Sequence, residues 1–224
     1  MILEHLNKLS SWDNVLPETK QKIDNNSLLR NFDEETILFR ESESISQIYL
    51  ILYGFVISSK ISLNGKEKYL FYLSRDDFVN LCTIDGRTTS IRAKALKGTT
   101  LIEIEKDILI DLMREDFNLN LLILHSLTLE VRRCQRQILN AGTYNSNQRI
   151  ASKLWKLFKD YGKQQDGKYY LDLPMTQTDL AHMVGTTRET VNRFLAELTS
   201  KKIIHIEENE ISIANKNMLL KYMH

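Results

Sequence analysis

The sequence is short of cysteine, of charge of one sign and of long apolar runs, and each shortage removes a class of protein. Its two cysteines, Cys82 and Cys134, make neither a disulfide framework nor a CxxC pair, which suits the reducing cytoplasm. No apolar run approaches the roughly 20 residues that a membrane span needs, so no membrane association is expected. Met1-Ile-Leu-Glu-His-Leu6 lacks a basic start and a long apolar stretch, which argues against a secretory signal. There is no Ser/His/Asp constellation, no metal-spaced His/Cys set, no glycine-rich phosphate loop and no poised carboxylate pair, so neither catalysis nor a bound metal is expected. His5, His125, His182, His205 and His224 follow no motif.

What is present describes a soluble globular chain. At 224 residues, 42% hydrophobic and 26% charged, it is long enough for two domains, each with its own core. The net charge is only +1, but it is unevenly spread. From Asn145 onward there are 12 Lys and Arg against 9 Asp and Glu, while the first 144 residues hold 18 against 20. The positive excess lies in the C-terminal third, as neutralising phosphates would require.

That third contains the most informative segment, residues 176–198. Thr176 can cap a helix, with Asp179 three places on completing a capping box. Leu180, Met183 and Val184 give that helix one apolar stripe. Gly185 stands where the turn needs positive φ, and Thr186 or Thr187 caps a second helix. Val191, Phe194, Leu195 and Leu198 form the buried face of that helix, leaving Arg188, Glu189, Asn192 and Arg193 outside. Two short helices so joined read as a helix-turn-helix, whose second helix enters the major groove of duplex DNA. An arginine fork matches guanine O6 and N7, and a carboxylate accepts from cytosine N4. Ile203–Ile206 and Ile211–Ile213, flanking Glu207-Glu-Asn-Glu210, make a small β wing, and the whole is a winged helix-turn-helix.

The rest of the chain supplies the order of parts. The first thirty residues look helical, with Leu3, Leu6, Leu9, Trp12 and Leu16 as a loose stripe. From about Leu28 to Glu105, short β-like runs follow one another, with a type I′ hairpin turn expected at Asn64-Gly65. Such spacing predicts a sandwich or a jelly-roll β-barrel. A long helix is expected from Lys106, with a break near Asp116, to Asn140. Its Leu124, Leu127, Val131, Cys134, Ile138 and Ala141 alternate at spacings of 3 and 4, a seam along which two copies would pair. Residues 142–147 read as a polar hinge, followed by a helix over 148–161 and a strand over 169–173. The fold class is therefore α+β, divided as 1–105 (barrel with N-terminal helix), 106–141 (dimerisation helix) and 142–224 (winged helix-turn-helix).

In this order of parts the chain resembles the Crp/Fnr family of bacterial transcription regulators, most specifically over Val184-Gly-Thr-Thr-Arg-Glu-Thr-Val-Asn-Arg193. Gly54 and Gly65 fall where the family's barrel has turn glycines. The resemblance implies that Arg188, Glu189 and Arg193 contact bases of a TGTGA-like half-site and that Thr176 touches a phosphate. Thr178, Thr186, Thr187 and Asn192 complete the expected DNA-contacting set. It also implies a homodimer, a place for RNA polymerase at the Gly162–Gly167 loop, and an effector held between barrel and long helix. Tyr72, Asn80, Leu81, Cys82, Arg87, Thr88, Leu127 and Val131 are the candidate effector residues.

The effector itself is left open. Relatives that bind cyclic AMP carry Gly-Glu-Leu followed by Arg-Ser or Arg-Thr. Here Arg87-Thr88 are present, but Val79-Asn80 replace the Gly-Glu pair, which argues against a cyclic nucleotide. No cysteine precedes Cys82, against the cysteine cluster of the family's iron–sulfur sensors. One His could still ligate a haem, although none lies in a motif. Thr143–Asn147 and the apolar cassette are more similar to the family's chlorophenol-responsive branch, implying a small aromatic or organic effector, and no cofactor is expected. Cys134 on the seam is either a small buried hydrophobe or a redox switch. The alternative to a DNA-binding regulator is a small-molecule or cyclic-nucleotide receptor acting through a protein partner.

Overall fold

The computed structural model describes residues 1–165, 168–207 and 210–223. Contacts divide the chain into two compact units, Met1–Gly65 with Leu70–Cys134, and Lys66–Tyr69 with Gln135–His224. The division at residues 105 and 141 follows secondary structure; this one follows compactness.

The first unit opens with helix α1 (Ile2–Leu6), a 3-10 turn at Ser10–Trp12 and helix α2 (Pro17–Asn26). Pro17 stands in the first turn of α2, where its missing N–H is one the helix could not have used. Leu6, Leu9 and Trp12 are buried as the apolar stripe requires, but Leu16 is exposed. Eight strands follow: β1 (Ser27–Phe32), β2 (Thr36–Phe39), β3 (Gln47–Tyr53), β4 (Val56–Ile61), β5 (Glu67–Leu73), β6 (Phe78–Val79), β7 (Arg92–Ala95) and β8 (Thr99–Glu105). They form two four-stranded sheets, β1-β8-β3-β6 and β2-β7-β4-β5. The expected jelly-roll is thus present, built as two facing four-stranded sheets and not as a closed barrel.

The reason lies in β3. Its Ile48, Leu50 and Leu52 enter one apolar core with Trp12, Ile23 and Leu109, while Tyr49 and Ile51 enter a second core with Phe39, Val56, Phe71 and Ala93. Alternate side chains of a strand point to opposite faces. The first sheet is therefore covered on both sides, by helices and by the second sheet, and it has no need to close on itself. Between β3 and β4, Gly54 adopts φ +77°, and a Cβ there would stand 2.7 Å from Thr99 Cα. Between β4 and β5 the type I′ turn is not formed. Gly65 has φ 77° but Asn64 is not among the positive-φ residues, and the Gly65 N–H donates to Ser62 O at 2.8 Å. The longer loop allows one left-handed residue to suffice.

Helix α3 (Lys106–Glu115) and helix α4 (Phe117–Thr143) follow, with the break at Asp116 where the sequence places it. Asp116 is only 1% exposed. One carboxylate oxygen accepts the Leu16 N–H at 2.9 Å, and the other accepts from Asn118 N at 2.9 Å and Leu119 N at 3.3 Å. One side chain thus starts α4 and ties down the N-terminal segment.

The second unit continues with α5 (Ser146–Tyr161), β9 (Gly162–Gln165), β10 (Lys168–Leu171), α6 (Gln177–Val184), α7 (Arg188–Ser200), β11 (Ile204–Glu207), β12 (Glu210–Ile213) and α8 (Lys216–Lys221). The order β11-β12-β10-β9 joins the wing to the earlier hairpin. The expected hinge over 142–147 shrinks, because α4 runs to Thr143 and α5 starts at Ser146. Asn145 accepts from Gln148 N and Gln148 Oε1 accepts from Asn145 N, both at 3.0 Å. Those polar residues form a capping box and not a linker. Of the expected Gly162–Gly167 loop, residues 162–165 are strand β9, and Asp166 and Gly167 lie outside the described residues.

Burial raises the Asp116 carboxyl, but hydrogen bonds from Leu16, Thr19, Leu119 and Asn118 outweigh it and hold the group below its ordinary 3.8. A depressed folded value means that the stabilisation is complete above the unfolded value and is lost as pH falls through the folded one. Asp116→Ala, leaving three backbone donors unmet, is expected to cost about 1–3 kcal/mol in urea unfolding at pH 7. The gap between wild type and Asp116→Asn should narrow below pH 3.8.

Candidate functional site

The helix-turn-helix is assembled by its own capping groups. Thr176 Oγ1 accepts from Asp179 N at 3.1 Å, and Asp179 Oδ2 accepts from Thr176 N at 2.7 Å, closing the capping box of α6. Gly185 ends α6 at φ 74° ψ 50°, and the Gly185 and Thr186 N–H groups both donate to Ala181 O. Thr187, not Thr186, then caps α7 by accepting from Thr190 N at 3.2 Å. The turn is three residues long because glycine bears the left-handed conformation without strain.

Helix α7 is anchored by Val191, Phe194, Leu195 and Leu198, all at most 1% exposed. Arg188, Glu189, Asn192 and Arg193 are exposed, as are Thr176 and Thr187, while Thr178 and Thr186 are half-buried. Arg188 shares a surface cavity with Thr176 and Thr178, bounded by Ile206 and Ile211 of the wing. The Glu189 carboxyl is held below its ordinary value by its own backbone N–H and by the Thr187 hydroxyl, so it stays an ionised acceptor. The face therefore offers two guanidinium donors, one carboxylate acceptor and one amide, the groups that distinguish base edges.

The first unit contains a second candidate site. A cavity of about 30 Å³ lies between the strands and α4, lined by Ser58, Asp77, Asn80, Leu81, Cys82, Ser90, Ser126, Glu130 and Arg133, with Leu73, Phe78 and Ile91 as its apolar part. Arg133 Nη2 donates to Asp77 Oδ1 at 3.0 Å, and Asp77 Oδ2 accepts from Ser74 N at 2.9 Å. Of the expected effector residues, Asn80, Leu81 and Cys82 line this cavity and five do not. Arg87 has a side chain 86% exposed and lies 3.7 Å from Asp85. Thr88 is exposed, and Tyr72 is buried elsewhere in the unit. Leu127 packs on the apolar core, and Val131 is 55% exposed. The reason is helical phase: Ser126, Glu130 and Arg133, spaced by 4 and 3, share the inward face of α4, and Val131 lies on the far side.

The same phase places the seam. Leu124 and Ile138 are 52% and 73% exposed and Cys134 is exposed, while Leu127 turns inward. With Leu121, also exposed, the open apolar stripe reads Leu121, Leu124, Val131, Ile138. Partial shielding from water by its neighbours on the helix, and secondarily the Glu130 charge, raises the exposed Cys134 thiol above its ordinary value, which makes it a poorer thiolate.

These parts match known proteins. Residues 148–222 match the Crp-like helix-turn-helix domain and residues 29–116 the cyclic nucleotide-binding domain. The anaerobic regulatory protein of Haemophilus influenzae is 28% identical over 214 residues, 96% of this chain and 79% of that protein. The protein of the same name from Bacillus subtilis is 25% identical, covering 95% and 90%. The chain belongs to the Crp/Fnr family. Its relatives are transcription regulators and not enzymes. Among solved structures, FixK2 from Bradyrhizobium japonicum superposes with a TM-score of 0.79 at 20% identity, covering 88% of this chain and 98% of that one. CprK complexed with OCPA gives 0.69 at 22%, covering 92% and 94%. These two likenesses concern the fold.

Within the Crp/Fnr fold, the residues here do not suit a cyclic nucleotide. Arg87, which the family likeness would turn toward a phosphate, faces solvent. Asn80 stands at φ 75° with its side-chain amide donated to Gln47 O at 2.8 Å, so it is occupied with holding the backbone. Sequence reasoning missed Ser58, Asp77, Ser126, Glu130 and Arg133. The one available signal was the 4 and 3 spacing of the last three along the long helix. Among the described residues no three His, Cys, Asp or Glu converge as a metal cage.

Because the capping box fixes the first turn of α6, Thr176→Ala should lower stability by about 1 kcal/mol, read by chemical unfolding. Thr176→Ser should retain most of it.

Proposed function

We propose that this Crp/Fnr protein is a homodimeric, sequence-specific transcription regulator that reads a palindromic site with TGTGA-like half-sites and answers to a small-molecule effector in its N-terminal unit. The observation that carries this reading is the exposed row Arg188, Glu189, Asn192 and Arg193 on a helix whose opposite face is fully buried. A helix fixed so firmly, with polar side chains along its outer face and only the small Ala196 among them, is built to present polar groups to a partner. The C-terminal excess of Lys and Arg suits a phosphate backbone.

The dimer is supported by α4. Leu121, Leu124, Val131 and Ile138 recur at 3, 7 and 7 along the helix, a heptad stripe left open in one copy. Two copies joined along it would present two α7 helices to two half-sites. The effector would act by favouring one of two placements of α4 relative to the sheets, and by linkage the DNA would favour the same one. We place the protein in the cytoplasm, consistent with the finding that no helix among the described residues is long and apolar enough to cross a membrane. RNA polymerase is the partner proposed for the segment beginning at β9, making activation the proposed outcome.

Selection from random duplexes followed by gel shift tests the reading, and an enriched palindrome is expected. Arg188→Ala or Arg193→Ala should each weaken the selected site by about 1–3 kcal/mol and relax specificity. If neither substitution changed regulation in cells, a receptor acting through a protein partner would replace this reading. Val131→Glu should shift sedimentation from dimer to monomer without lowering the melting temperature of the N-terminal unit, since that side chain is more than half exposed.

A further inference from the structure

The cavity beside α4 has a composition that restricts what can enter it. Three charged groups line it, Asp77, Glu130 and Arg133, two carboxylates against one guanidinium. Arg133 is engaged by Asp77 at 3.0 Å, and the second oxygen of Asp77 is engaged by the Ser74 N–H. That leaves Glu130, which no hydrogen bond or salt bridge joins to another described residue. A second group points the same way. Ser58 is 0% exposed, lines the same cavity, and its hydroxyl has no hydrogen-bond partner among the described residues. A buried polar atom without a partner is uncommon and calls for one.

Both open groups accept hydrogen bonds, and one of them is a carboxylate. An anion entering here would meet two carboxylates, Glu130 and Asp77, against one guanidinium that already gives an N–H to Asp77. The space, about 30 Å³, compares with roughly 10–15 Å³ for one water. It is far below the roughly 300 Å³ at which ordinary ligand pockets begin. Burial already raises the Glu130 carboxyl, with Arg133 pulling it down and Asp77 pushing it up; a cation beside it would restore the ionised form.

Resting on the regulator reading above, we propose that the effector is a small primary amine in its ammonium form, of methylammonium to ethylammonium size, donating to the Glu130 carboxylate and the Ser58 hydroxyl. Glu130 and its neighbours Ser126 and Arg133 lie on one face of α4, so the ion would hold α4 against the strand that carries Ser58. The energy of binding would then be spent on the helix that carries the dimer stripe. The excess of carboxylates disfavours phosphates, and a cyclic nucleotide is also far larger than the space.

The test uses the full-length chain and calorimetric titration at constant ionic strength. The probes are methylammonium and ethylammonium chloride, set against potassium chloride and sodium acetate. Saturable amine binding at least tenfold tighter than potassium, with no acetate binding, is expected. Glu130→Gln keeps the shape and should weaken amine binding at least tenfold; Ser58→Ala should weaken it several-fold while melting no lower than wild type. Absence of amine binding, equal binding of potassium, or wild-type amine affinity in Glu130→Gln would overturn the proposal. The same preparations are assayed on the selected duplex. An enriched palindrome with no amine binding removes the ligand class alone. Amine binding with no DNA selection removes the regulator reading and leaves the site. Amine binding that leaves DNA affinity unchanged removes the effector role.

Discussion

Helix α4 satisfies two different surroundings at once, and the rest of the molecule is arranged around that demand. One side places Leu119 and Ile123 in the core of the N-terminal unit, fully buried, and sets Ser126, Glu130 and Arg133 against the cavity. The other side leaves Leu121, Leu124, Val131 and Ile138 open. Burying apolar surface stabilises by roughly 25 cal/mol per Å², so the inner side fixes the helix in rotation. Once the rotation is fixed, the outer stripe follows from the 3.6-residue period without further choice.

Asp116 sets where that helix begins. Its buried carboxylate accepts the first N–H groups of α4 and the N–H of Leu16, so the start of the helix and the N-terminal segment share one anchor. At the other end, Asn145 and Gln148 start α5 almost at once. Chain that reads as a flexible joint is thus two helices separated by Tyr144 and Asn145. One unit border falls inside α4, between Cys134 and Gln135, so this helix contributes residues to both units.

The DNA-reading unit was legible in the sequence almost residue by residue because its signals are local. Thr176, Asp179, Gly185 and Thr187 each act within four residues of themselves, and the buried stripes follow a period that a single strand of sequence displays. The strands of the first unit were legible too, but not their pairing, which joins segments such as β1 and β8 that lie far apart in the chain. The cavity was the least legible part. Ser58, Asp77 and Glu130 come from three distant segments, and each alone reads as an ordinary solvated polar residue. The family likeness drew attention to Arg87 and Val131, which the backbone turns outward. Phase along one helix, and not residue type, separates Glu130 from Val131.

The measurement that bears most directly on this account is sedimentation equilibrium of the chain on a duplex recovered by selection. Two chains per palindromic duplex, falling to one on a duplex with a single half-site, is the predicted result. One chain on the full palindrome, or no preference between selected and unrelated duplex, would contradict it.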